Sequence, residues 1–193
     1  MHDYHATPLR ATIDTAAFIH RFHNAPRFEQ CCRECPCYGA RWGCPPHDRD
    51  WLATLRQFGH VLIAGTKITP VGHDIPLSEA HALMRPELAK LNSFLLDMER
   101  DTAGMALGFA GKCELCGDEP CARRGGLPCR HPELVRPSLE SVGFDVDATC
   151  RELLHEELLW GRDGHLPPHL IIVGALFHQT SNFPENPDQT INL

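Results

Sequence analysis

The sequence predicts a single domain of the α/β or α+β class, in which helices flank a small sheet of three or more strands. Three short apolar runs, at residues 60–68, 105–110 and 169–177, have the length of buried strands. A long stretch at 78–102 repeats its apolar residues at the spacing of a helix. Helices and strands that are apolar on one side bury those sides against one another, which gives this fold class.

The first two helices are predicted from the residues at their ends. Asp14 is suited to cap a helix that ends near Phe22, before the turn at residues 24–26. A short helix at 51–58 then leads into the first predicted strand. The cysteine-rich segment between these two helices contains enough Pro and Gly to predict a loop.

The longest predicted helix covers about residues 78–102. Its apolar residues alternate in spacing between four and three, as one face of a helix requires. They are Met84, Leu88, Leu91, Leu95 and Met98. Pro86 predicts a kink or a second start within this helix. With the strands on either side, the run is long enough for a right-handed crossover between parallel strands.

Two more helices are predicted near the end of the domain. One covers residues 137–142 and ends at Gly143, and the other begins at Asp147 and continues through Trp160. Cys150 lies among leucines on one face of this second helix, which predicts a core residue and not a metal ligand. The domain is therefore expected to span residues 1–178, followed by a flexible polar tail at 179–193.

Charge and hydropathy argue against two classes of partner. The net charge is -7, and the 18 Lys and Arg residues form no stripe, so no nucleic-acid partner is expected. No segment approaches the ~20 apolar residues of a membrane-spanning helix. The N-terminus also lacks the apolar core of a secretory signal. These observations lead us to expect a soluble, cytoplasmic protein.

The chain has 10 cysteines, and nine of them fall into two groups at 31–46 and 113–129. Reducing compartments keep thiols free, so clustered cysteines in such a compartment indicate metal binding or catalysis more often than disulfides. A disulfide framework is the least favoured interpretation.

The second cysteine group has the spacing C-x2-C-x4-C-x7-C. Its members are Cys113, Cys116, Cys121 and Cys129. Four thiolates in so short a segment can surround one metal centre. One C-x2-C pair followed by two single cysteines is closer to ferredoxin-type ligation than to the paired knuckles of a zinc ribbon. The spacing favours a [4Fe–4S] cluster, with zinc as the alternative.

The first cysteine group contains the pattern C-x2-C-x8-C at Cys32, Cys35 and Cys44. Cys31 and Cys37 are the alternatives for a fourth ligand. Three protein ligands would leave one iron open to substrate, as in catalytic metal sites, whereas a fourth would close the centre. The sequence leaves both arrangements open, together with the absence of any metal.

Three motifs carry a resemblance to a known family. They are CRECPCYGARWGCPPHDRD at 32–50, GTKIT at 65–69, and a segment at 113–146 that ends in RPSLESVGFDV. With these motifs the chain resembles the prokaryotic family of predicted metal-binding proteins, a domain of unknown function, over roughly residues 28–177.

The resemblance implies a protein with two iron–sulfur centres. The positions of Cys32, Cys35 and Cys44 match family cysteines, as do those of the second cysteine group. Cys37 falls where other members often carry a different residue, which favours three cysteine ligands at the first centre. His47 stands where the family pattern has an aromatic residue.

Several polar and aromatic residues near the cysteines are further candidates for function. Tyr38 and Trp42 are predicted either to shield a cluster from water or to pack the loop. Arg130 and Arg136 are candidates for stabilising a cluster, for binding an anionic substrate, or for ordinary ion pairs with nearby glutamates. Asp48 and Asp50 are candidates for an acid–base pair, although capping of the helix that follows is favoured.

Three functional hypotheses follow. The first is an iron–sulfur enzyme, an oxidoreductase or a lyase of the desulfidase type, that reduces or desulfurates a small molecule at an open iron. The second is a ferredoxin-like carrier with two closed [4Fe–4S] clusters and a redox partner. The third is a zinc-stabilised binding module.

Overall fold

A computed structural model describes residues 3–111, 113–117 and 119–179 of the chain. It confirms the predicted fold class and specifies it as α+β, with one four-stranded antiparallel sheet. The strands lie in the order β1-β2-β4-β3. They are β1 (Tyr4–Asp14), β2 (His60–Pro70), β3 (Met105–Leu107) and β4 (Leu170–His178).

The five helices are short, with one exception. They are α1 (Thr15–Phe22), α2 (Ala25–Arg33), α3 (Trp51–Leu55), α4 (Ala80–Thr102) and α5 (Val146–Thr149). Single 3-10 turns lie at Leu77–Glu79, Ala122–Gly125 and Glu140–Val142. The side chains of Asp14, Asn24, Asp50 and Asp145 each accept a hydrogen bond from a backbone amide of the first helical turn. Such caps satisfy amides that have no partner within the helix.

The two faces of the sheet bury two apolar clusters. On β2, Val61 and Ile63 belong to one cluster, whereas Leu62 and Ala64 belong to the other. This alternation follows from the two-residue period of a strand. The first cluster is rich in aromatic rings from α1 and β4, and the second is formed with the apolar face of α4.

Gly174 on β4 allows α4 to pack close to the sheet. A Cβ atom at this position would lie 2.6 Å from Leu95 Cδ1 and 2.8 Å from the carbonyl oxygen of Leu107. The predicted apolar stripe of α4 therefore meets the sheet where a side chain is absent, and Leu95 itself is buried there.

The predicted crossover needs a correction. Both β2 and β3 pair antiparallel with β4, so they run parallel to each other, as expected for strands joined by α4. They are not neighbours, however, because β4 lies between them. The apolar run at 169–177 gave no indication that it would insert between the two earlier strands.

Two elements near the N-terminus were not predicted. β1 pairs with β2 along its whole length, from Tyr4 opposite Pro70 to Asp14 opposite His60. It lies at the edge of the sheet, and most of its residues are exposed, so it lacks the apolar run of a buried strand. The start of the first cysteine group is also helical, since Asn24 caps α2 and α2 extends through Cys32 to Arg33.

The predicted helix from Asp147 through Trp160 is wrong in its start and its length. Asp145 caps it, and after α5 the backbone widens into a π-helical turn at Cys150–Leu154. His155 adopts a left-handed conformation with φ of 56°, which ends the helix. Cys150 is fully buried, as predicted.

The remaining expectations about the ends of the chain are only partly covered by the structure. Apart from Gln179, the predicted tail lies outside the described residues. Within the described ranges, no helix is long and apolar enough to cross a membrane.

Candidate metal centres

The first cysteine group is a chain of tight turns that begins on the last turn of α2. The amide of Cys35 donates to the carbonyl of Cys32, and the amide of Tyr38 donates to the carbonyl of Cys35, each at 3.0 Å. A further turn joins Ala40 to Cys37 at 3.0 Å. A cysteine therefore begins each of these three turns, and the turns together reverse the direction of the chain.

Four of these five thiols border one cavity of about 580 Å³, which we call the first cavity. They are Cys32, Cys35, Cys37 and Cys44. Cys31, which was the other candidate for a fourth ligand, is exposed and does not line this cavity. Of the two alternatives, Cys37 is therefore the one whose thiol shares a cavity with the other three.

The thiols of the first group are close enough to affect one another's ionisation. Burial raises the pKa of Cys44 to about 11, and repulsion from Cys37, Cys35 and Cys32 adds to this shift. Burial also raises the pKa of Cys37. Clustered thiols that resist ionisation are suited to a bound cation, because a metal supplies the positive charge that favours the thiolate.

The second cysteine group borders a smaller cavity of about 260 Å³, the second cavity, and all four predicted thiols line it. Burial raises the pKa of Cys113, an amide hydrogen bond from Leu115 lowers it, and the other three cysteines add repulsion. The amide of His131 lies 3.4 Å from Cys129 Sγ and donates to it. Amide donation of this kind stabilises the thiolate form that a metal requires.

Both groups of thiols are of the chemical type that binds a metal. The thiols of each group do not, however, surround a single position. Within residues 3–111, 113–117 and 119–179, no three Cys, His, Asp or Glu side chains are grouped closely enough to hold an ion as they stand. Four thiols around one small cavity nevertheless match the ligand sets of zinc and of iron–sulfur clusters.

Arg123 joins the two cysteine groups. Its guanidinium donates to the carbonyl oxygens of Arg41, Cys44 and Pro46, all of which belong to the first group's loop. The same guanidinium lies 5.0 Å from the centre of the Trp42 ring, a cation–π distance. One side chain from the second segment therefore fixes the end of the first loop.

The two cavities adjoin each other. Arg41, Cys113, Leu115 and Val135 line both of them. Arg41 also donates to the carbonyl oxygen of Gly111 at 3.0 Å, which links the first loop to the residues that precede Cys113. Groups bound in the two cavities would therefore have these side chains as common neighbours.

The two aromatic candidates lie on different cavities. Tyr38 lines the first cavity, as the shielding prediction requires. Trp42 lines the second cavity, and its Nε1 donates to the carbonyl oxygen of Leu127 at 3.2 Å. Trp42 thus belongs to the first loop by sequence and contacts the second group in space.

The two arginine candidates have different surroundings. Arg130 pairs with Glu119 at 3.4 Å, and a hydrogen bond with Cys116 raises the pKa of its guanidinium. This places Arg130 beside a predicted ligand. Arg136 lines the first cavity, but its guanidinium is bound to Glu99, and both side chains are only 17% exposed.

The two aspartates lie away from the cavities. Asp48 is exposed and lines neither cavity. Asp50 accepts a hydrogen bond from the amide of Ala53 at 2.9 Å, so it caps α3 as the favoured interpretation required.

Glu140 is the residue of the first cavity that sequence reasoning missed. Its side chain lines the cavity, and its Oε2 atom is buried without a hydrogen-bond partner among the described residues. Burial raises the pKa of its carboxyl group. A glutamate between a buried leucine and a serine gives no sequence signal of burial, whereas the fold packs its turn against α2.

The chain was compared with known proteins. The family described as predicted metal-binding protein (DUF2284) has a sequence model that matches residues 19–174, a range that contains both cysteine groups. No match was found among curated proteins or among solved structures.

Proposed function

The chain belongs to this family of predicted metal-binding proteins, and from that membership and the two sets of thiols we propose that it is an iron–sulfur protein with two cysteine-ligated centres. Cys32, Cys35 and Cys44 would hold the first, and the second cysteine group would hold the other. The observation that carries the proposal is that the thiols of each set line one common cavity, with Cys113 bordering both cavities. Clustered thiols of this kind favour clusters of the [4Fe–4S] type.

The first centre is proposed to be the reactive one. Its cavity continues well beyond the thiols, along the apolar side chains of Leu88, Leu96 and Phe109. Such a wall suits a small molecule that approaches the cluster and excludes water from it. An iron with three cysteine ligands would supply a Lewis-acidic position there, for the reduction or desulfuration of that molecule.

The second centre is proposed to exchange electrons with the first. The shared lining of the two cavities by Arg41 and Cys113 supports a short path between them. Arg130 would stabilise this centre's negative charge from its position beside Cys116. Electrons would come from a redox partner in a reducing compartment, where the thiols stay free.

A second candidate function is a ferredoxin-like carrier with two closed clusters. The specific observation in its favour is that Cys37 lines the first cavity together with the three proposed ligands. If Cys37 binds the fourth iron, the first centre has no open position and stores or relays electrons only.

The test is metal analysis of the protein purified without oxygen. Two [4Fe–4S] clusters give about eight irons and about eight sulfides per chain. Stoichiometric zinc without sulfide would instead support a zinc-stabilised module and would overturn the proposal.

The two iron–sulfur candidates are separated by Cys37→Ser, with Cys31→Ser as the matched control. Cys31 is exposed and adjacent to the same loop, so its replacement should leave both clusters in place. If Cys37→Ser also retains both clusters, the first centre has three cysteine ligands. Loss of one cluster from Cys37→Ser alone would establish the closed arrangement.

A further inference from the structure

The carboxylate of Glu140 has a chemical feature that its surroundings do not explain. Its Oε2 atom is buried, and no described residue forms a hydrogen bond with it. Burying a polar oxygen without a partner is unfavourable, and more so if the group is charged. Such an atom in a cavity indicates a partner that binds there.

Glu140 is positioned by the same elements as the first cysteine group. The 3-10 turn Glu140–Val142 packs against α2, whose last turn carries Cys32. Glu140 also lines the first cavity with Cys32, Cys35 and Cys44.

The cationic side chains of this cavity do not provide the missing partner. Arg136 is bound to Glu99, and Arg41 donates to the carbonyl oxygen of Gly111. Arg85 is 67% exposed and lies 3.6 Å from Glu114. The carboxyl group accepts a hydrogen bond from Ser138, but no cationic side chain of this lining pairs with its buried Oε2 atom, which leaves that atom available to a cation bound in the cavity.

We infer that Glu140 supplies an oxygen ligand to the iron that Cys32, Cys35 and Cys44 leave open in the first centre. This inference rests on the proposed function. Carboxylate oxygen is a harder donor than thiolate and suits iron–sulfur centres less well. A small molecule with a soft donor atom, such as a thiolate, would therefore displace Glu140 more easily than it would displace a fourth cysteine.

The exchange would change no oxidation state, because Glu140 would release the iron and stay in the cavity as a carboxylate while the entering sulfur took its place. The substrate class expected at this site is a small sulfur-containing molecule with an apolar body, which fits the thiols on one side and the leucines on the other.

The experiment uses the full chain, reconstituted without oxygen, with potassium cyanide as the soft-donor probe. The variants are Glu140→Gln, Glu140→Cys and the control Glu133→Gln, which alters an exposed glutamate a few residues away. Iron and sulfide content, the electron paramagnetic resonance spectrum of the reduced protein and its titration with cyanide are measured.

If Glu140 is a ligand, Glu140→Gln should bind cyanide at a concentration about tenfold lower than the wild type, a change of about 1.4 kcal/mol. Glu140→Cys should retain the cluster, change its resonance and resist cyanide. Glu133→Gln should match the wild type in every measurement. If Glu140→Gln fails to fold, the resonance of Glu140→Cys decides the question.

Unchanged resonance and cyanide binding in the Glu140 variants, in a protein that carries both clusters, would overturn this inference and leave the proposed function standing. A wild-type protein without iron and sulfide would instead overturn the proposed function itself.

Discussion

Arg123 donates a hydrogen bond from Nη1 to the carbonyl oxygen of Arg41 at 2.7 Å, and this bond joins segments that are 82 residues apart in the sequence. The same guanidinium also reaches the carbonyls of Cys44 and Pro46. The loop that carries the first proposed centre is therefore held in place by the segment that carries the second.

Replacing Arg123 should loosen the first loop. We expect Arg123→Gln to lower the free energy of unfolding by about 2 kcal/mol, because hydrogen bonds from a charged donor contribute more than neutral ones. The proposed first centre should also lose its metal faster to a chelator. Thermal unfolding and chelator-induced bleaching measure the two effects.

The matched control is Arg124→Gln. Arg124 is the next residue, is exposed, and forms no hydrogen bond with its side chain among the described residues. The Arg124→Gln variant should have the same free energy of unfolding as the wild type. Equal destabilisation by the two substitutions would show that the contacts of Arg123 do not fix the loop.

The ion pair between Arg136 and Glu99 should contribute more than an ordinary surface pair. Glu99 Oε2 accepts from Arg136 Nε at 2.9 Å and from the amide of Ala106 at 2.6 Å, so it ties the segment after the second group to β3. With both side chains largely buried, removing one partner leaves the other unpaired. We expect Arg136→Gln to cost about 1–3 kcal/mol in denaturant unfolding.

An exposed pair provides the comparison for this measurement. Arg151 and Asp147 lie 2.7 Å apart on the surface, with side chains more than half exposed. Arg151→Gln should cost less than about 0.5 kcal/mol. The double replacement of Glu99 and Arg136 should cost less than the sum of the single ones, and an additive result would contradict the proposed coupling.

The sequence predicts the parts of the fold that depend on local pattern. The apolar stripe of α4 and the caps at Asp14 and Asp50 are confirmed because spacing and capping are local properties. β1 was missed because an edge strand with exposed residues carries little apolar signal. The insertion of β4 between β2 and β3 is a long-range choice that local pattern does not contain.

In the candidate site, too, the sequence predicts what depends on local spacing and misses what depends on long-range contacts. The spacing of the cysteines separates them into two sets, and the thiols of each set line one common cavity, with Cys113 bordering both. The sequence could not assign Arg123 and Glu140 to these sites, because their roles depend on contacts with residues far away in the chain. It also could not choose between Cys31 and Cys37, since the end of α2 decides which thiol is exposed.

Stability should decrease as the pH falls, partly through His23. Burial lowers the pKa of this histidine, with repulsion from Arg56 as a smaller contribution, although a hydrogen bond to the carbonyl of Val142 opposes the shift. The unfolded chain therefore binds more protons than the folded chain below about pH 6.5, the ordinary value for histidine. The contribution of His23 is complete above this pH and is lost as the pH falls toward the folded value.

His23→Gln should flatten this part of the pH dependence, because glutamine can still donate to Val142 but does not take up a proton. Urea unfolding at about pH 5.5 and about pH 7.5 measures the slope on either side of the histidine value. His20→Gln, an exposed position on α1, is the control. A slope that is the same in His23→Gln and the wild type would exclude His23 as its source.

Replacing Cys150 should distinguish a structural thiol from the thiols that are proposed to bind metal. It is fully buried in the aromatic cluster with Phe144 and Phe177, and burial raises its pKa to about 12, so its thiol stays protonated. Metal binding needs the thiolate, and Cys150 lines neither the first nor the second cavity. Cys150→Ala should therefore keep the full iron content and lose about 1 kcal/mol of stability from the small volume removed.

Cys121→Ala, at a proposed ligand of the second centre, should lose about four irons. Iron analysis of the two variants side by side tests the assignment, and loss of iron from Cys150→Ala with retention in Cys121→Ala would reverse it.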